Sequence, residues 1–155
     1  MSIISFVTLY LRKFGILPTL NFDQQIWGAK SIMDLYQMQS EFFQASADAN
    51  GVMQTYWLGS QDHDPYRISI DPYGHADTPV YDASPVGECE IFSYPPRFSC
   101  AQALAAVARS VTAEPWTHCE LKKAPSTVSH PVYRFSFLVH DPVTVDATTG
   151  QVVTA

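Results

Sequence analysis

The spacing of apolar residues changes once along the chain, and that change limits the folds open to it. From Phe22 to about Ala47 the period is helical. Ile26, Ala29, Met33 and Tyr36 follow i, i+3, i+4 spacing, Ile32, Leu35 and Phe42 widen the stripe, and Asp34, Gln37 and Glu41 fall mainly off it. Asn21 followed by Gln24 has the form of a capping box, and Asn50-Gly51 supplies a stop. Gly28 inside this pattern costs about 1 kcal/mol relative to alanine, so it marks a close packing contact or a break. Past Gly51 the texture is that of strands: Val52–Leu58, Tyr66–Ile70 and Glu88–Tyr94 alternate or are rich in β-formers, with prolines and glycines between them. The expected fold is therefore a single α+β domain over residues 1–155. It has an N-terminal long helix, an antiparallel sheet of short strands, and a second short helix packed on the sheet.

The second helix is marked by Ser99 and Gln102, another capping box, ahead of Ala101, Leu104, Ala105, Val107, Ala108 and Val111. Strand candidates follow at Trp116–Leu121, Val132–Val139, Pro142–Val145 and Gln151–Val153, with Gly150 placed for a positive φ before the last. No internal repeat shows in the residues. This last third, with Val132-Tyr-Arg-Phe-Ser-Phe137 and Val143-Thr-Val-Asp-Ala-Thr-Thr-Gly-Gln-Val-Val153, resembles a PepSY-type module. The resemblance implies a small α+β subunit at about 100–155, of a kind that is commonly exported and associated with binding or inhibiting partner proteins.

Ahead of the long helix, Ser2–Leu11 is apolar apart from Ser and Thr, but too short to cross a bilayer, and Arg12-Lys13 follow it where a secretory leader would have them first. The segment reads as a buried strand or short helix packed on the domain, and the protein as cytoplasmic. Cys89, Cys100 and Cys119 show no CxxC spacing, so they read as reduced, partly buried thiols rather than a zinc site. His118-Cys119 would point to opposite faces of a strand, and Asp62-His63-Asp64 before Pro65 reads as a solvated turn. Nucleotide, zinc-hydrolase and serine-hydrolase motifs are missing, so the reading is of a non-enzyme with no cofactor and no metal.

Charge carries more information. The net charge is −6, yet between Ser31 and Ser93 ten acids stand against Arg67 alone. Such segregation disfavours nucleic acid phosphates and steers a basic protein partner. The candidate partner-binding residues are Asp62, Asp64, Asp71, Tyr73, Asp77, Tyr81, Asp82 and Glu88, carboxylates interleaved with tyrosines in a proline-rich stretch. Trp57 and Tyr66 read as core. The type resembles a bacterial immunity protein that covers the active surface of a cognate toxin or effector enzyme. The alternatives are an acidic nucleic-acid mimic that inhibits a DNA- or RNA-binding enzyme, and a small enzyme using Asp62-His63-Asp64 or His118-Cys119. A homodimer through exposed strand edges is compatible with the pattern, and a membrane partner is not expected.

Overall fold

A computed structural model describes residues 3–125 and 130–154. In chain order it contains α1 (Ile3–Lys13), α2 (Phe22–Tyr36), β1 (Glu41–Asp48), β2 (Met53–Leu58), β3 (Pro65–Ile70) and β4 (Val80–Tyr81). There follow α3 (Cys100–Ser110), β5 (Trp116–Lys122), β6 (Val132–Phe137), β7 (Val143–Asp146) and β8 (Val152–Thr154). The strands form one eight-stranded sheet in the order β4-β3-β2-β1-β5-β6-β7-β8, antiparallel throughout.

The α+β expectation with an N-terminal long helix is overturned: the molecule is mostly sheet with three short helices. The periodic segment from Phe22 to Ala47 is divided. Its first part is α2, held by the Asn21–Gln24 capping box, and its second part is β1. The helix ends where Gln37 turns to an extended backbone and Gln39 takes a positive φ of 60°. Beyond that turn Ala45 and Ala47 are buried and Ser46 points away, a period of two. Phe42 is off the period of two and is buried through the bulge between Phe42 and Gln44, while its seven-residue spacing from Leu35 is what lets a helix be read through it. The strand expected at Glu88–Tyr94 is also absent as a strand. This segment makes only isolated bridges, Glu90 to Lys123 and Phe92 to Phe42, and fills the gap where the ends of β1 and β5 separate.

Helices α2 and α3 lie side by side on one face of the sheet, α2 over β2 and β3, α3 over β7 and β8. Under them sits the core: Ile26, Ala29 and Met33 of α2, Val107 of α3, and Met53, Trp57, Ile68, Leu121, Tyr133, Phe135 and Val143 of the sheet. Its polar members are satisfied. Trp57 Nε1 donates to Thr55 Oγ1 at 2.8 Å, Thr55 Oγ1 donates to the Ile68 carbonyl at 3.0 Å, and Tyr133 OH donates to the Phe98 carbonyl at 2.8 Å. Asp23 of α2 accepts from the amides of Cys100 and Ala101 at 2.8 and 3.1 Å, so one helix supplies the anion that the N-terminus of the other favours. Gly28 marks a contact and not a break: a Cβ there would lie 2.6 Å from Ile70 Cδ1.

The topology repeats although the sequence does not. Each half is a helix followed by a four-stranded meander, and β1 and β5 pair antiparallel at the centre around Ser46–Glu120. The halves are thus related by an approximate two-fold axis normal to the sheet. Capping boxes with glutamine at the third helical position open both helices. Bulges interrupt both first strands at corresponding places, Phe42/Gln44 and Trp116/His118. The connection between halves is a strap: Asp82 meets Arg67 at 3.5 Å, Cys89 Sγ lies 3.0 Å from Gln44 Oε1, and Tyr94 packs on Trp27 and Phe42 at the helix face.

Candidate functional site

The last turn of α2 and the residues just after it point three apolar side chains outward. Leu35 is 87% exposed and Met38 71%, while Tyr36 is half exposed. Leu35 follows the buried Met33 by two residues, about 200° around the helix, so it lies on the opposite face. The sequence reading that widened the core stripe to include Leu35 is corrected here. Two shallow depressions border this turn. One runs along Asp34, Leu35 and Met38, and the other is a cleft of about 490 Å³ floored by Phe42, Trp57, Phe92 and Tyr94; Lys30 and Gln39 line both.

The β2–β3 hairpin is locked against that turn. Gln37 Nε2 donates to Asp62 Oδ2 at 2.7 Å, the Gln61 amide donates to Gln37 Oε1 at 2.9 Å, and Ser60 Oγ donates to the Met38 carbonyl. Inside the hairpin the Asp64 amide donates to Asp62 Oδ1 at 2.9 Å, and Tyr66 OH donates to Asp62 Oδ2. The Tyr66 hydroxyl, then the Asp64 amide and Gln37, hold the Asp62 carboxyl below its usual value against the opposing effect of burial. In return Asp62, then burial and Tyr36, push the Tyr66 hydroxyl up. Only glycine fits at Gly59, where a Cβ would come within 2.4 Å of Gln37 Oε1 and Asp62 Oδ1.

The Tyr36 ring meets Tyr66 edge-on at 5.2 Å, and Tyr81 pairs across the strands with Tyr66 while remaining 61% exposed. Asp82 follows, its amide donating to the Pro65 carbonyl at 3.0 Å. The Ser84 hydroxyl and amide, helped by Arg67, hold its carboxyl below the usual range, against the effect of burial. The helix side of this corner thus presents Leu35, Tyr36, Met38 and Tyr81 with Asp62 and Asp64, whereas Asp82 pairs with Arg67 on the opposite face of the sheet.

Three of the eight sequence-derived candidates therefore converge, Asp62, Asp64 and Tyr81, while Asp82 lies on the opposite face of the sheet with Arg67. Asp71, Tyr73 and Asp77 lie toward the far end of β3. There Asp71 Oδ1 accepts from the Tyr73 and His75 amides at 3.0 and 2.9 Å, and Asp77 Oδ1 accepts from the Ser69 amide at 2.8 Å. Glu88 is exposed on the strap, away from both groups. Trp57 and Tyr66 are buried.

Other pairings give no assembled chemistry. Cys119 is in the core facing Cys100 with sulfurs 3.8 Å apart, and burial, followed by Cys100, pushes its thiol well up. His118 lies on the outer face against Asp48 at 2.9 Å, so the two neighbours do point apart. Among the described residues no group of three His, Cys, Asp or Glu is placed to hold a metal ion, and no helix is long and apolar enough to cross a membrane.

No family model and no curated protein matches the chain. Among solved structures it is similar to a putative lipoprotein from Clostridium difficile 630, with a TM-score of 0.57 and 13% identity. The match covers 81% of this chain and 88% of that one. The likeness is one of fold.

Proposed function

We propose that the protein is a non-enzymatic binding protein that docks a basic protein partner and covers that partner's functional surface, as an immunity protein covers its toxin. One observation carries the reading: exposed Leu35, Tyr36, Met38 and Tyr81 sit at the corner that the Asp62 and Asp64 hairpin closes. Apolar and aromatic anchors within a charged rim are what a tight interface is made of, and a contiguous exposed apolar patch has a use. The surface is also held in place before binding. Gln37, Tyr66 and the Asp64 amide fix the Asp62 carboxylate, so little ordering cost is left for the partner to meet. Lysine or arginine side chains of the partner pair with Asp62 and Asp64 while Leu35 and Tyr81 enter its cleft. The reading places the protein in the cytoplasm, with its free cysteines compatible with a reducing compartment. It takes the last third, about 100–155, as a PepSY-like subunit, for which the helix, the meander and the positive φ at Gly150 give support.

The test is capture from a lysate of the source cell on the immobilised full chain, with Leu35→Asp and Tyr81→Ala variants beside it. The expected result is one basic protein retained by the parent chain, at least tenfold weaker binding to each variant, and weakening with added salt. Equal capture by parent and variants, or an acidic captured protein, overturns the reading.

A further inference from the structure

Helix α1 does not behave as the sequence pattern suggested. Val7, Tyr10, Phe14, Ile16 and Leu17 are exposed, Phe14 at 70% and Ile16 at 68%, and none of them belongs to the core. The helix and the turn after it are moored at one corner of the domain: Arg12 Nη1 donates to the Tyr73 carbonyl at 3.3 Å, and the Leu20 amide to the Pro72 carbonyl at 2.7 Å. This leaves the apolar side chains of Val7, Phe14, Ile16 and Leu17 exposed.

Charge selects what covers them. In a chain of net charge −6, the only charged side chains before Asp23 are Arg12 and Lys13. A second copy docking by the same face would bring like charges together, and the basic partner proposed above would be repelled. An anionic amphiphile surface is complementary on both counts. The helix of 11 residues reaches about 16 Å, roughly half the hydrocarbon thickness of a bilayer, so it can lie in the surface but not cross it. We propose that α1 and the turn through Leu17 form an interfacial helix that docks the protein on a bilayer rich in anionic phospholipid. Phe14, Ile16 and Val7 enter the boundary between headgroups and acyl chains, and Lys13 lies among the phosphates.

Vesicle flotation with the full chain tests this, comparing phosphatidylglycerol-containing with pure phosphatidylcholine vesicles. The protein is expected to float with the anionic vesicles. Lys13→Glu is expected to weaken that binding at least fivefold, and the double variant Phe14→Asp/Ile16→Asp to abolish it with an unchanged circular dichroism spectrum. Leu35→Asp should leave flotation intact, which separates a failure here from a failure of the partner-binding surface. No flotation with either vesicle, or flotation unaffected by the double variant, overturns the proposal. So does a dimer in solution that the double variant dissociates, since that result assigns the face to a second copy.

Discussion

Replacing Gly28 by alanine sets two effects of known size against each other. In an exposed helix the change gains about 1 kcal/mol, because alanine has the better helix propensity. In α2 the new methyl would stand 2.6 Å from Ile70 Cδ1, well inside van der Waals contact, and Ile70 is buried, so its side chain must shift against packed neighbours. Overpacking of this kind costs about 1–3 kcal/mol, so the sum is expected to be a net loss of roughly 1 kcal/mol. Ile70→Val deletes the offending Cδ1 and alone costs about 1 kcal/mol for the void it leaves. Combined, the two changes exchange one methyl for another in nearly the same place, and the double variant should be close to the parent. Urea unfolding of the four proteins gives the coupling, expected at about 1–2 kcal/mol in favour of the pair. If Gly28→Ala alone stabilises the protein by about 1 kcal/mol, or if the two changes add without coupling, the contact between α2 and β3 is not what requires glycine.

Thr55→Val keeps the shape of a buried side chain but removes the acceptor of Trp57 Nε1 and the donor to the Ile68 carbonyl, and should cost about 1–3 kcal/mol in the same assay. Acid should destabilise the fold through Asp62, Asp82 and Asp146, whose carboxyls are all held below the usual 3.8. For Asp146 burial acts upward and is outweighed by the Thr149 amide, the His130 ring and the Thr148 amide. A depressed carboxyl contributes stability above its unfolded value, and that contribution is lost as pH falls through the folded value. The urea midpoint is therefore expected to hold from pH 7 to about 5 and to drop below pH 4, with a shallower drop in Asp146→Asn; an equal drop in that variant would remove Asp146 from the account.

Legibility in the sequence follows the range of the interactions involved. The starts of α2 and α3 were readable because capping boxes are local chemistry, and β2, β3 and β5 because alternation or β-rich composition between prolines and glycines is local as well. The break between α2 and β1 was not readable. No glycine or proline marks it, and what ends the helix is Gln37 being taken up by a hairpin more than twenty residues later. The Glu88–Tyr94 segment misled in the opposite sense, having strand composition but filling a gap between two strand ends. At the candidate surface, Asp62, Asp64 and Tyr81 came from charge and aromatic interleaving, which also offered Asp82 although strand alternation puts it on the other face with Arg67. Leu35, Tyr36 and Met38 were missed because they were counted within a helix taken to be longer. The 200° offset of Leu35 from Met33 was the available signal.

The internal two-fold separates what the fold demands from what it leaves open. Features present in both halves, namely the capping box with its glutamine, the bulge in the first strand and the four-stranded meander, are needed to lay a helix across a twisted sheet, and they need no functional explanation. The hairpin after the second strand meets the end of its half's helix region in both halves as well: Ser60 and Gln61 bond to Met38 and Gln37, and the Val139 amide donates to Glu114. What differs is what those equivalent corners present. One shows Leu35, Tyr36 and Met38 beside Asp62 and Asp64; the other shows Leu138 and Val139 beside His140 and Asp141. Both corners hold large apolar side chains out in solvent, and the α2 corner differs in adding Tyr36 edge-on against Tyr66 and a carboxylate, Asp62, fixed by that tyrosine. The proposed partner is therefore sought at the α2 corner, where Gln37 and Tyr66 fix the Asp62 carboxylate beside exposed apolar side chains, rather than along the acidic segment as a whole.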